Sequence, residues 1–150
     1  EKNERHQLFS YLENRFGISE RLFDDYLLFR RKKSWSIMKN GPQVSDAAQL
    51  KVSRVGMKAF QKVGAFVKPT TRLVQVFGHA ATRARLDINE TQLYRLLGNN
   101  DLPMDLDLEK GYVIISLENE MILGLGFYGH GRLKSQIPRK EFRKTMLKAS

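Results

Sequence analysis

The strongest constraint on the fold lies between residues 111 and 128. Gly111–Leu117 (GYVIISL) is an almost unbroken apolar run, Glu118-Asn119-Glu120 is polar, and Met121–Tyr128 (MILGLGFY) is apolar again. Two short β-branched and aromatic runs on either side of a three-residue polar stretch read as a β-hairpin rather than a helix. Near-continuous apolarity in the first arm suggests burial on both faces, since a half-solvated strand alternates instead.

Other punctuation fits around this hairpin. Asn89 precedes ETQLYRLL, and Gln92 follows three residues later, so the pair resembles a capping box that starts a helix over 90–97. Gly98 is placed to end it. Asn99–Glu109, with Pro103 inside, reads as an acidic loop. Gly129-His130-Gly131 reads as a turn, and Pro138 opens a short basic helix over 139–148. Towards the N-terminus, Leu8, Phe9 and Leu12 sit at helical spacing within 5–14, and Arg15-Phe16-Gly17-Ile18 breaks that helix. Ser19 is placed to cap a second short helix. Strands are expected at Leu27–Phe29 and Ser34–Met38, joined by the basic turn Arg30-Arg31-Lys32-Lys33. Asn40-Gly41-Pro42 is a loop, and the mixed periodicity of 51–67 predicts short strands. Lys68-Pro69-Thr70-Thr71 starts a helix that carries Leu73, Val74 and Phe77 on one face and ends at Gly78. The mix of helices and strands gives an α+β class, with a domain boundary expected between residues 78 and 88.

Charge is unevenly spread. The chain of 150 residues has 26 Lys+Arg against 16 Asp+Glu, a formal net charge of +10. Residues 30–85 hold 13 basic groups and one acid, Asp46, whereas 101–126 hold six acids and one base. Residues 127–150 are basic again, with seven bases and one acid. Such blocks draw phosphates from a distance and gain affinity as counterions are released, the footprint of a nucleic-acid binder. With no cysteine there is no disulfide, thiolate metal site or cysteine nucleophile. The three histidines show no zinc-ligand or HExxH spacing. Asp101, Asp105, Asp107 and Glu109 lack the spacing of a calcium loop and read as a solvated acidic loop that frames a phosphate-binding face. No apolar run is long enough to span a membrane and no signal peptide is evident, so a cytoplasmic location is expected. The chain begins at Glu1 rather than Met, as a trimmed chain or a piece of a longer protein would.

Three segments together resemble a known family. Gly111-Tyr112-Val113-Ile114-Ile115, then Ile122-Leu123-Gly124-Leu125-Gly126, then Gly131-Arg132-Leu133-Lys134-Ser135-Gln136-Ile137-Pro138-Arg139 are similar to the last three strands of a PUA-like domain. The version they most resemble is appended to RNA (cytosine-5) methyltransferases. Leu93–Gly98 resembles that domain's helix, and Arg15–Ile18 and Lys68–Thr70 resemble the extension ahead of it, which also occurs in stand-alone relatives associated with ribosome biogenesis. Ser135 stands where that pattern has Asn, and Gln136-Ile137 replaces a His-Tyr type of pair. The resemblance implies a C-terminal PUA-like β-barrel with short helices over 83–150 that binds RNA, preceded by an N-terminal mixed α/β lobe over 1–82. No methyltransferase domain, S-adenosylmethionine loop or Pro-Cys nucleophile accompanies it, so no catalysis and no cofactor are expected of this chain.

The candidate RNA-binding residues follow from charge and from glycine placement. Arg132, Lys134, Arg139, Lys140, Arg143 and Lys144 form a C-terminal basic cluster; on a helix after Pro138, Arg139 and Arg143 would share a face, as would Lys140 and Lys144. A solvated tail is the competing reading. Gly124 and Gly126, two apart in a strand, face the same side and offer either bare main chain to RNA or a bulge or close barrel contact. Arg72, Arg83 and Arg85 would extend the track onto the first lobe, along with Lys58, Lys62 and Lys68. Trp35, beside the basic turn, is expected in the core rather than as a stacking platform. The expected function is non-catalytic binding of structured RNA, ribosomal or transfer, in ribosome biogenesis or RNA modification. The alternatives are a protein-interaction module for an acidic assembly partner, and an accessory subunit of an RNA-modifying enzyme acting in trans.

Overall fold

A computed structural model describes residues 2–40, 56–99 and 101–138. Helix α1 (Lys2–Phe16) leads into a 3-10 turn, Glu20–Phe23, and four strands follow: β1 (Tyr26–Arg31), β2 (Ser34–Lys39), β3 (Met57–Val63) and β4 (Phe66–Pro69). Then come α2 (Thr71–Phe77), β5 (Arg85–Ile88), α3 (Glu90–Asn99), β6 (Asp101–Pro103), β7 (Gly111–Leu117), β8 (Met121–Gly129) and β9 (Arg132–Ser135). Strands β1–β4 make an antiparallel meander in sequence order. The second sheet runs β5-β7-β8-β9-β6, with β5 parallel to β7 and the other pairs antiparallel.

Local chemistry sets the boundaries. Helix α1 stops at Gly17, whose φ of +71° suits glycine; a Cβ there would also collide with the Thr82 hydroxyl. Ser19 accepts from the Arg21 amide and Thr70 from the Leu73 amide, capping the 3-10 turn and α2. The capping box at α3 is formed in both directions: the Gln92 amide donates to Asn89 Oδ1 at 2.9 Å and the Asn89 amide to Gln92 Oε1 at 3.0 Å.

Several boundaries differ from expectation. Arg30 and Arg31 belong to β1, so the basic turn shrinks to Lys32-Lys33, with Lys32 at φ +52°. A two-residue turn of this kind matches the twist of the strands it joins. Lys68 and Pro69 belong to β4, and α2 begins after them. Helix α3 runs through Gly98 to Asn99. Within the expected acidic loop, Asp101–Pro103 forms β6 on β9. Leu102 is buried there, and Pro103 is tolerated because β6 is an edge strand. The helix expected over 139–148 lies outside the described residues.

Two apolar clusters hold the molecule together. The first gathers Phe9, Phe16, Phe23, Trp35, Phe60 and their neighbours under α1 and the first sheet; Phe9 and Phe23 stack at 4.4 Å. It also takes Ile114, Ile122 and Leu125 from the second sheet. The second cluster holds Leu93, Leu96, Leu102, Val113, Ile115 and Leu133. Ile114 thus points to one cluster while Val113 and Ile115 point to the other, which is the burial on both faces that the apolar run predicts. Trp35 is a core residue, with its indole N–H donating to Glu4 at 2.8 Å.

Candidate nucleic-acid interface

A bulge in the central hairpin shapes the surface. Between Ile115 and Ser116 the β7–β8 register shifts by one residue, so Ile115 pairs with Gly124 and Ser116 with Ile122. Past the bulge, Tyr112 pairs with Phe127, and Phe127 pairs in turn with Lys134 on β9. Cross-strand partners share a face, so these three side chains form one row. The Tyr112 and Phe127 rings meet edge to face at 5.3 Å, and both are half-buried; Phe127 belongs to neither core cluster.

Cations surround this aromatic pair. Lys134 is exposed at one end of the row, and Arg132 lies two residues away on the same face. Arg132 Nε donates to Asp101 Oδ2 at 2.8 Å, yet its side chain remains 52% exposed. At the other end, Lys68 Nζ from β4 sits 5.6 Å from the Tyr112 ring centre and donates to Gln136 Oε1 at 3.1 Å. Partial burial lowers the Lys68 pKa from its ordinary value. The Lys110 stem packs against Gly129, whose missing Cβ would lie 3.2 Å from Lys110 Cγ. Arg15 fixes the platform from behind, its Nε donating to the Tyr112 carbonyl at 2.8 Å. An aromatic pair rimmed by lysine and arginine can stack a base and hold the phosphates on either side of it.

The expected residues do not all converge here. Arg132 and Lys134 do. Arg72 is exposed on the first turn of α2, the helix packed on β8. Arg83 and Arg85 lie on the β5 side of Tyr112, where Arg85 pairs with Ile114, two residues along β7. Arg83 Nη2 donates to the Glu13 carbonyl at 2.6 Å and lines a groove of about 850 Å³ between α1 and the loop after β6. Asp107 and Glu109 line the same groove and offset the charge of Arg83. Burial pushes the Tyr11 phenol there up to about 12, the Arg15 charge opposing it. Half-buried Arg85 lines an adjoining hollow with Asp107. Arg139, Lys140, Arg143 and Lys144 lie outside the described residues.

Gly124 and Gly126 need a correction: they do not present bare main chain. Both are buried. A Cβ on Gly126 would fall 2.8 Å from Ile115 Cδ1, 2.9 Å from Leu133 Cδ1 and 3.0 Å from the Lys134 carbonyl; on Gly124 it would fall 3.0 Å from Ile137 Cγ1. Their space is filled by the second core, and Gly124 sits at the bulge. Among the described residues, no three His, Asp or Glu side chains gather as metal ligands would, and no helix is long and apolar enough to cross a membrane.

No family model matches the chain, and no curated protein matches it. Among solved structures it is similar to a conserved PUA domain protein from Thermoplasma acidophilum. The TM-score is 0.56 at 13% sequence identity, over 97% of this chain and 95% of that one. The fold is PUA-like. At that identity the likeness shows the fold alone, and the relation to RNA methyltransferases is not part of it.

Proposed function

We propose that the chain binds structured RNA, ribosomal or transfer, and catalyses nothing itself. The observation that carries this reading is the row Lys134–Phe127–Tyr112, closed by Lys68 and flanked by Arg132, in a chain of net charge +10. The likeness to a PUA domain protein supports it. A-form RNA hides its base edges, so such a protein would grip the backbone electrostatically and stack a base exposed at a loop or helix end. On this reading, residues 83–150 form the PUA-like barrel and 1–82 a lobe that extends its surface, and the setting is ribosome biogenesis or RNA modification.

The test is binding to a tRNA hairpin and to matched duplex DNA across a salt series. RNA binding should exceed DNA binding and survive physiological salt. Lys134→Ala and Arg132→Ala should each lower the salt slope by about one unit, since each removes roughly one phosphate contact. Phe127→Ala should weaken binding while leaving the slope unchanged. Equal binding to RNA and DNA that vanishes with salt would overturn the reading.

A further inference from the structure

The strands and turns over 26–39 and 57–69 contain eight basic residues and no acid. Their inner face packs on α1, and the other face carries a polar row in register across all four strands. Arg31 pairs with Ser34, Ser34 with Gln61, and Gln61 with Lys68. At about 4.8 Å per strand, the row spans about 14 Å. It ends at Lys68, the residue that closes the Tyr112–Phe127 platform, so the two surfaces are continuous.

Aromatic rings flank the row on both sides. Next to it, Phe66 pairs with Val63 at the β3–β4 hairpin end; Phe66 is 74% exposed and Val63 49%, both high for residues of their type. On the other side, Phe29 pairs with Ser36 and Ser36 with Lys58, and these line a shallow hollow with Arg31 and Ser34. The Lys33 carbonyl accepts from the Lys62 amide at 2.7 Å, which brings the basic β1–β2 turn beside the Val63 end of β3.

From these observations we infer that the outer face of the β1–β4 sheet binds an unpaired RNA segment continuous with the structured part held on the second sheet, with Phe66 stacking on one of its bases. The inference rests on the RNA-binding reading above. Phosphates are recognised by Arg31, Lys58 and Lys68, and base edges by the Gln61 amide, which donates and accepts, and by the Ser34 hydroxyl oxygen as acceptor, its proton going to the Arg31 carbonyl. A lipid surface would need neither of those polar groups, and among the described residues of this sheet the exposed large apolar side chains are Val63 and Phe66 alone.

The test compares a blunt RNA hairpin with the same hairpin carrying about six unpaired nucleotides, within the site size of such sheets. Vesicles containing phosphatidylserine form a second arm. The full chain should bind the tailed RNA at least about 10-fold more tightly than the blunt one. Phe66→Ala, an exposed change that leaves the core intact, should erase about 5- to 100-fold of that gain and leave blunt-hairpin binding unchanged, the range that base stacking supplies. Equal affinity for tailed and blunt RNA overturns the inference while the hairpin reading stands, as does a tail gain that survives Phe66→Ala. No binding of the blunt hairpin, with the tailed RNA held no more tightly than its isolated tail, overturns the hairpin reading, while a tail affinity lost in Phe66→Ala still upholds the tail site. Vesicle binding lost in Phe66→Ala, with no effect of the tail, overturns it in favour of a lipid surface.

Discussion

Replacing Gly126 by Ala separates a packed glycine from one that waits for a ligand. The added methyl must displace Ile115 Cδ1 from 2.8 Å, Leu133 Cδ1 from 2.9 Å and the Lys134 carbonyl from 3.0 Å. The two methyls belong to side chains that are 0% exposed, so they have little room to turn. The carbonyl is main chain of β9 and cannot retreat without straining the β8–β9 ladder. Overpacking of this kind costs about 1–3 kcal/mol. Relief of glycine's backbone entropy returns roughly 0.5–1 kcal/mol. The net loss should be about 1–2 kcal/mol, which lowers Tm by roughly 2–8 °C in a chain of this size. Gly98→Ala is the control. It makes the same chemical change in α3, where among the described residues an added Cβ meets nothing outside its own helix within 4 Å, and should stabilise by roughly 0.5–1 kcal/mol. Urea unfolding with unchanged m-values measures both. A Gly126→Ala protein as stable as the parent but weaker in RNA binding would refute the packing argument and return the glycine to the binding face.

Other outcomes follow from particular contacts. Asp87 Oδ1 accepts from the buried Ser116 hydroxyl at 2.8 Å and from the Asn119 amide at 2.6 Å; Asp87→Ala should cost about 1–3 kcal/mol in chemical denaturation, and Ser116→Ala on top of it should recover part of that loss. The Tyr128 hydroxyl accepts from the Leu106 amide at 2.9 Å and donates to the Met104 carbonyl at 3.2 Å, tying down the acidic loop; Tyr128→Phe should cost about 1 kcal/mol and speed amide exchange at Leu106. In an absorbance titration, Tyr11 should ionise near 12, held back chiefly by burial, and Tyr11→Phe should remove that step. Because its folded pKa is raised, the stability Tyr11 contributes is complete below about 10 and is lost as pH rises through about 12.

The central hairpin was legible because its apolar runs and polar turn are local, and the α3 cap was legible because Asn89 and Gln92 are three residues apart. The platform was not. Counting back from the 118–120 turn pairs Tyr112 with Gly126 and sends Phe127 to the opposite face. Only the bulge at Ile115/Ser116 brings Tyr112 and Phe127 together, and no residue in the sequence announces it. Strand β6 was hidden in the same way. Its three residues include a proline, and they become a strand through pairing with β9 and burial of Leu102, both non-local. The basic blocks identified a phosphate-seeking chain, but charge counts carry no geometry. They grouped Arg83 and Arg85 with Arg132, although the fold places the first two beside Asp107 on the β5 side of Tyr112 and Arg132 on β9, across the platform. For the glycines, both a binding role and close packing fitted the sequence, and only the positions of Ile115, Leu133 and Ile137 decided between them.

The most direct measurement is ultraviolet crosslinking of the full chain to a hairpin RNA, with the crosslinked peptides mapped by mass spectrometry. Crosslinks concentrated at Tyr112 and Phe127, and reduced by Lys134→Ala, are the expected result. Crosslinks confined to the groove of Tyr11 and Arg83, or spread evenly over lysine-rich surface, would contradict it.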